Sequence, residues 1–230
     1  MRTQPVHLSY ETGGHSEYCL SFAKVDATRT ILIVPPLFEE MNRTRRMLVE
    51  AMRALGEQAV RTLLPDLPGC NESLACMSEQ TLSDWRNAVT DCASQLSATH
   101  IASIRGGCLI DDAANLPVWR LAPVKGASLL KSMLRTRIVA DKEAGVSTTA
   151  DQLMTSARSA PLDLAGVLLR QEMLAELDMA LPFMTTGIHE VTLADIKGTP
   201  LWLRAEPGDD PAMSAAIAAD LNRWSASCGG

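Results

Sequence analysis

The 230-residue chain has no apolar run near the ~20 residues that span a bilayer. Its first ten residues contain no apolar core of a secretory signal. Six cysteines stand at 19, 70, 76, 92, 108 and 228. None is spaced C-x-x-C, and none neighbours a histidine in a zinc pattern, so no metal site is expected. Reduced thiols in a cytoplasmic chain are the simple expectation. No Walker-type phosphate loop and no dinucleotide fingerprint is present, and no cofactor is expected. Basic clusters are also scarce: the longest, Arg43-Thr44-Arg45-Arg46, follows Glu39 and Glu40. With a net charge of −6, the bulk field attracts neither nucleic acid nor an anionic membrane.

The remaining composition, 47% hydrophobic and 21% charged, is that of an ordinary globular chain. Its length fits one domain spanning residues 1–230. Strand-like and helix-like stretches alternate, which argues for an α/β fold with a mostly parallel sheet covered on both faces. Strands are expected over 18–23, 30–34, 60–64, 100–104, 118–121 and 200–205. Helices are expected over 44–55, 83–96 (with Ser83 as a possible N-cap) and 212–224. Residues 125–181 read as mostly helical, either a cap over a pocket or a plain crossover. The terminal Ser-Cys-Gly-Gly reads as a loose tail.

Three turns follow expected strands, on the sheet edge where α/β proteins build their sites. The first carries Pro36, Glu39, Glu40, Asn42 and then Arg46, a polar block suited to ligand or oxyanion contacts. The second, Asp66 to Ser73, matches the D-x-x-G-x-G-x-S turn of many α/β hydrolases, with Asn71 for the second glycine. Asn is the next best residue at positive φ.

The third turn, Ser103-Ile104-Arg105-Gly106-Gly107, has the small flanks of a nucleophile elbow. Arg105 stands at the nucleophile position, and a guanidinium cannot attack a carbonyl. Shifting the register to Cys108 puts bulky Ile110 on one flank. Cys108 is more simply a buried small hydrophobe, although a thiolate role stays open. Asp209 or Asp210 sits where the acid of a triad belongs, but either also fits a turn or an N-cap before Pro211. All four histidines, at 7, 15, 100 and 189, lie upstream of it. A buried Arg105 needs a partner, and Glu39 or Glu40 on the neighbouring loop is the expected one.

The block from Val34 to Met47 (VPPLFEEMNRTRRM) resembles the signature of the exosortase A system-associated hydrolases, second type. Ser16 to Leu20, Arg105-Gly106-Gly107, Val118 to Gly126, Leu134 to Arg137 and Asp163 to Gly166 are similar to further marks of that family, over about residues 16–205. Ser103, where the family usually has Gly, departs from it. So does the short segment between the elbow and Val118. The resemblance implies an α/β-hydrolase-like sheet, a nominal hydrolase label, a link to PEP-CTERM sorting and exopolysaccharide genes, and an Arg in place of the elbow serine. It implies no particular substrate. Two readings remain: a pseudo-hydrolase binding a small-molecule or acyl ligand, or an ester or thioester hydrolase using Cys108 or a carboxylate-activated water. Oligomeric state is not legible.

Overall fold

The computed structural model describes residues 3–228, apart from Val25, Ala113 and Thr185. Seven strands form one sheet in the order β1-β2-β4-β3-β5-β6-β9. β1 (Pro5–Thr12) and β2 (His15–Phe22) make an antiparallel hairpin at one edge, and β2 pairs antiparallel with β4 (Val60–Pro65). From β4 onward the sheet is parallel through β3 (Arg29–Val34), β5 (His100–Ile104), β6 (Val118–Leu121) and β9 (His189–Val191).

The interior strands are buried on both faces, which is why 30–34 and 100–104 read as continuous apolar runs. Ile31 and Ile33 pack against α1 (Glu39–Glu57) and α6 (Pro211–Ser227). Leu32 and Val34 pack with α2 (Leu82–Gln95), α3 (Gly126–Glu143) and α5 (Gln171–Met179) on the opposite face. In α1 the core contacts fall on Met47, Leu48, Ala51, Met52 and Leu55, the spacing of one helical stripe. The connection after β3 runs to β4 on one side, and the connection after β5 runs to β6 on the other. The winding therefore reverses between β3 and β5, and a crevice opens at their C-terminal ends.

Several expectations need correction. Residues 200–205 are no strand: Leu201–Leu203 is a 3-10 turn in which Leu201 and Trp202 are both buried and Leu203 is exposed. Two adjacent buried side chains suit a turn, because a strand alternates its faces. The edge position goes to the three-residue β9, too short to show a period. The N-cap of α2 is Thr81, not Ser83: Thr81 Oγ1 accepts from the Asp84 N–H, and Asp84 accepts from the Thr81 N–H in return. Ser83 instead donates its N–H to Glu176. Within 125–181 the helices α3, α4 (Ala150–Ser156) and α5 are joined by a hairpin, β7 (Leu162–Leu164) and β8 (Val167–Leu169). Ala165 and Gly166 turn that hairpin at positive φ. Among the described residues, no helix is long and apolar enough to cross a membrane.

Candidate functional site

The crevice between β3 and β5 is built by two strained turns. After β5, Arg105 adopts φ 54°, a region that non-glycine residues rarely enter. This throws its side chain out over the sheet edge, as an elbow must. The flanks explain themselves. A Cβ on Gly107 would lie 2.5 Å from the Val34 carbonyl and 2.6 Å from that of Pro35, so the turn can approach β3 only with glycine there. On the other flank, Ser103 points beneath the turn and donates to Asp111. After β3, buried Pro35 and Pro36 lead to Phe38 at φ 57°. Its ring is buried 5.4 Å from Trp85, which anchors the turn and starts α1 with Glu39 and Glu40 above the crevice.

Arg105 and Glu40 meet there. Arg105 Nε donates to Glu40 Oε2 at 3.1 Å and Nη2 donates to Oε1 at 3.0 Å, a two-pronged fork. Both side chains are largely buried, at 16% and 14% exposure. Nη1 donates to the Ala122 carbonyl just past β6, at 3.3 Å, and the guanidinium stacks on Trp202 with its carbon 4.6 Å from the ring centre. Desolvated stacking of this kind is worth up to about 2 kcal/mol. Of the two carboxylates expected to pair with Arg105, Glu40 does so. Glu39 is bound to Arg43 at 2.6 Å, and Arg43 also donates to the Trp202 carbonyl at 3.0 Å. The first turn of α1 and the 3-10 turn at Trp202 are thereby clamped around Arg105.

The other sequence candidates are dispersed. Cys108 is fully buried beneath the elbow. Burial pushes its thiol above the ordinary range, and Asp111 adds to the effect. Asp210 caps α6, accepting from the Met213 N–H at 3.0 Å and from Thr199 Oγ1 at 2.9 Å. Arg46 lies on the surface, 2.9 Å from Asp209. Asn42 is exposed, on a second cleft shared with Gly69 and Asn71. The Asp66 turn is structural: its carboxylate accepts from Asn71 Nδ2 at 2.7 Å, and Asn71 is at positive φ as expected.

None of the histidines reaches the crevice. His100 and His189 open β5 and β9, at the opposite edge of the sheet from Arg105. There His100 packs edge-on to Trp224, and His189 lies 3.4 Å from Asp220. His7 lies tilted against Tyr18 in the edge hairpin, with ring centres 5.0 Å apart, and His15 faces a separate cleft with Pro68, Glu79 and Asp91.

Two features escaped the sequence. Trp202 lies in a segment whose composition reads as strand, and nothing in that composition indicates its stacking on Arg105. Beneath the elbow, Arg120 forks onto Asp111 at 2.6 and 2.8 Å, with side-chain exposures of 1% and 0%. Ser103 and Arg120 are register neighbours on β5 and β6, which is how both reach one carboxylate. Burial alone would lower the Arg120 pKa, and the bonds to Asp111 more than reverse this, so the guanidinium stays charged.

Beside Glu40 lies a cleft of about 190 Å³. Leu37, Phe38, Leu129, Met133, Leu164 and Trp202 supply its apolar walls, and Glu39, Glu40, Arg43, Ser132 and Thr136 are its polar lining. Among the described residues no group of three or more His, Cys, Asp or Glu could hold a metal.

No protein-family model matches the chain, and no curated protein matches it in sequence. Solved structures do match it in shape. Est1E from Butyrivibrio proteoclasticus superposes with a TM-score of 0.60 at 14% identity, over 96% of this chain and 99% of that one. The thioesterase domain from the curacin biosynthetic pathway superposes with a TM-score of 0.53 at 11% identity, over 97% and 99%. The chain has the α/β-hydrolase fold. At these identities the likeness extends to the fold alone, and the site must be argued from its own residues.

Proposed function

We propose that this α/β-hydrolase-fold chain is a ligand-binding pseudo-hydrolase of the exosortase A system-associated type. The observation that carries this reading is Arg105 at the elbow, forked onto Glu40 and stacked on Trp202. The group at the nucleophile position is a cation that cannot be deprotonated. Its neighbours hold it in place instead of activating it. No histidine is at hand as a base, since His100 and His189 stand at the far edge of the sheet, and the Glu40 carboxylate is taken up by Arg105. The alternative nucleophile, Cys108, is fully buried, and its thiol is shifted away from the thiolate that attack requires. The link to the exosortase system rests on the likeness of the block from Val34 to Met47, which contributes Phe38, Glu39, Glu40 and Arg43 to the site.

The retained capacity is binding. At about 190 Å³ the cleft is smaller than the ~300–1,000 Å³ typical of drug-sized ligands. Apolar walls with a polar rim suit a short acyl chain whose head group meets Ser132 or Thr136. Arg105 has its charge engaged by Glu40, and Arg43 has its charge engaged by Glu39, so neither is the anion clamp. Calorimetric titration with octanoate tests this. Wild type is expected to bind, and Leu129→Trp, which fills the cleft, is expected not to. Equal binding by both proteins would remove the cleft from the account, and no binding by wild type would remove the acyl ligand.

A further inference from the structure

The charge of the chain is unevenly placed. Residues 122–147 hold five basic and two acidic residues, within a chain whose net charge is −6. Lys131, Arg135 and Lys142 are all exposed on α3, at spacings that put them near one another along its outer side. Exposed Lys125 stands just before the helix, and exposed Val139 follows Arg135 by one turn. Arg137 is bound to Asp141, whereas Lys125, Lys131, Arg135 and Lys142 have no carboxylate partner among the described residues.

An apolar segment adjoins the start of this helix. The Gly126 N–H donates to the Ala180 carbonyl at 3.0 Å, and a Cβ on Gly126 would collide with the Leu177 carbonyl. The chain beyond α5 is therefore pressed against the first turn of α3. Out of it project Met179 and Met184, 80% and 77% exposed, with Leu181 and Phe183 more than half exposed. The backbone behind them is fixed, because Arg120 Nη1 donates to the Phe183 carbonyl at 2.6 Å. Single exposed apolar residues are ordinary. Four within six positions, on a loop anchored beside the basic start of α3, form a patch.

We propose that this face docks on an anionic lipid surface. The side chains of Met179, Leu181, Phe183 and Met184 enter the acyl boundary, and Lys125, Lys131, Arg135 and Lys142 lie against headgroup phosphates. The apolar groups project beside the start of α3, where Lys125 and Lys131 stand, and Arg135 and Lys142 continue the basic side along the helix, a combination that complements an anionic interface. The net charge of the whole chain opposes approach, but only charges within about 8 Å, one Debye length, act strongly at contact. The proposal stands on this surface and does not depend on what the cleft binds. It also gives the cleft an orientation, because Ser132 and Thr136 line it from exposed positions on α3 beside the basic residues.

The test is co-sedimentation of the full chain with phosphatidylcholine vesicles, with and without about 30% phosphatidylglycerol as the anionic component. Binding is expected only to the anionic vesicles, weakening as salt rises. Each cation lost, in Lys131→Ala or Arg135→Ala, should lower the partition coefficient about fivefold. Phe183→Ser with Met184→Ser should lower it further without changing the circular dichroism spectrum. Absence of co-sedimentation overturns the proposal, as does binding indifferent to Lys131 and Arg135. So does a wild-type dimer, broken by the Phe183 and Met184 changes, that shows no vesicle binding: a second copy would then be what covers this face.

Discussion

Replacing Asp111 with leucine should be among the most damaging single changes in the chain. The Arg120–Asp111 pair is shut away from water, at 1% and 0% side-chain exposure, and joined by two bonds of 2.6 and 2.8 Å. Asp111→Leu leaves the guanidinium buried with only the Phe183 carbonyl as a partner, and it leaves Ser103 Oγ with only the longer bond to the Trp119 carbonyl at 3.4 Å. Breaking one side of a buried pair costs about 3–5 kcal/mol. For a domain whose whole stability is ~5–15 kcal/mol, that is a large share. With roughly 2–4 °C per kcal/mol at this chain length, the melting temperature should fall by about 6–20 °C. The double replacement Asp111→Leu with Arg120→Met removes both charges. It should recover much of the loss, because an apolar pair of similar volume is often neutral or better. The recovery stays incomplete, since Ser103 and the Phe183 carbonyl each forfeit a partner at about 1–3 kcal/mol. Thermal and urea unfolding of wild type, single and double variants measures this. A single variant within about 1 kcal/mol of wild type would refute the reasoning, and so would a double variant that is worse than the single.

Other expectations follow from the same geometry. Gly107→Ala forces a Cβ to within 2.6 Å of the Val34 and Pro35 carbonyls and should cost about 1–3 kcal/mol or more in urea unfolding. Gly106→Ala should cost less, because its nearest obstacle is the movable tip of Leu129. Asp210→Ala removes the N-cap of α6 at about 1 kcal/mol near neutral pH. The Met213 N–H and then Thr199 hold the Asp210 carboxyl below its usual range in the folded state. Its stabilisation is therefore complete above the unfolded value of ~3.9 and is lost as pH falls through the folded one. The gap between wild type and Asp210→Ala should narrow below about pH 4, and a constant gap down to pH 2 would contradict the cap.

The sequence made the elbow legible because its rule is steric. Small residues at 103 and 107 admit a tight turn, and the structure places Arg105 there at φ 54° with Gly107 against β3. The charge argument was equally local: a cation at a sheet edge needs a carboxylate, and the neighbouring turn offered two. Sequence could not choose between Glu39 and Glu40, because that choice depends on how Phe38 starts α1. Nor could it find Trp202 or the Arg120–Asp111–Ser103 group, whose members meet only once β5 and β6 are in register. The strand expected at 200–205 and the missed β9 share a cause. Leu-Trp-Leu has a strand's composition, but Trp202 is turned to stack on Arg105, and three residues at a sheet edge carry too little pattern to be seen. The whole-chain charge likewise concealed the basic outer side of α3.

We propose that Arg105, locked by Glu40, has replaced chemistry with binding. Hydrolysis of short- and medium-chain p-nitrophenyl esters tests it most directly, comparing wild type with Arg105→Ala and Cys108→Ala. The account predicts no turnover above background in any of the three folded proteins. Wild-type turnover that Cys108→Ala abolishes would contradict it and establish a cysteine hydrolase.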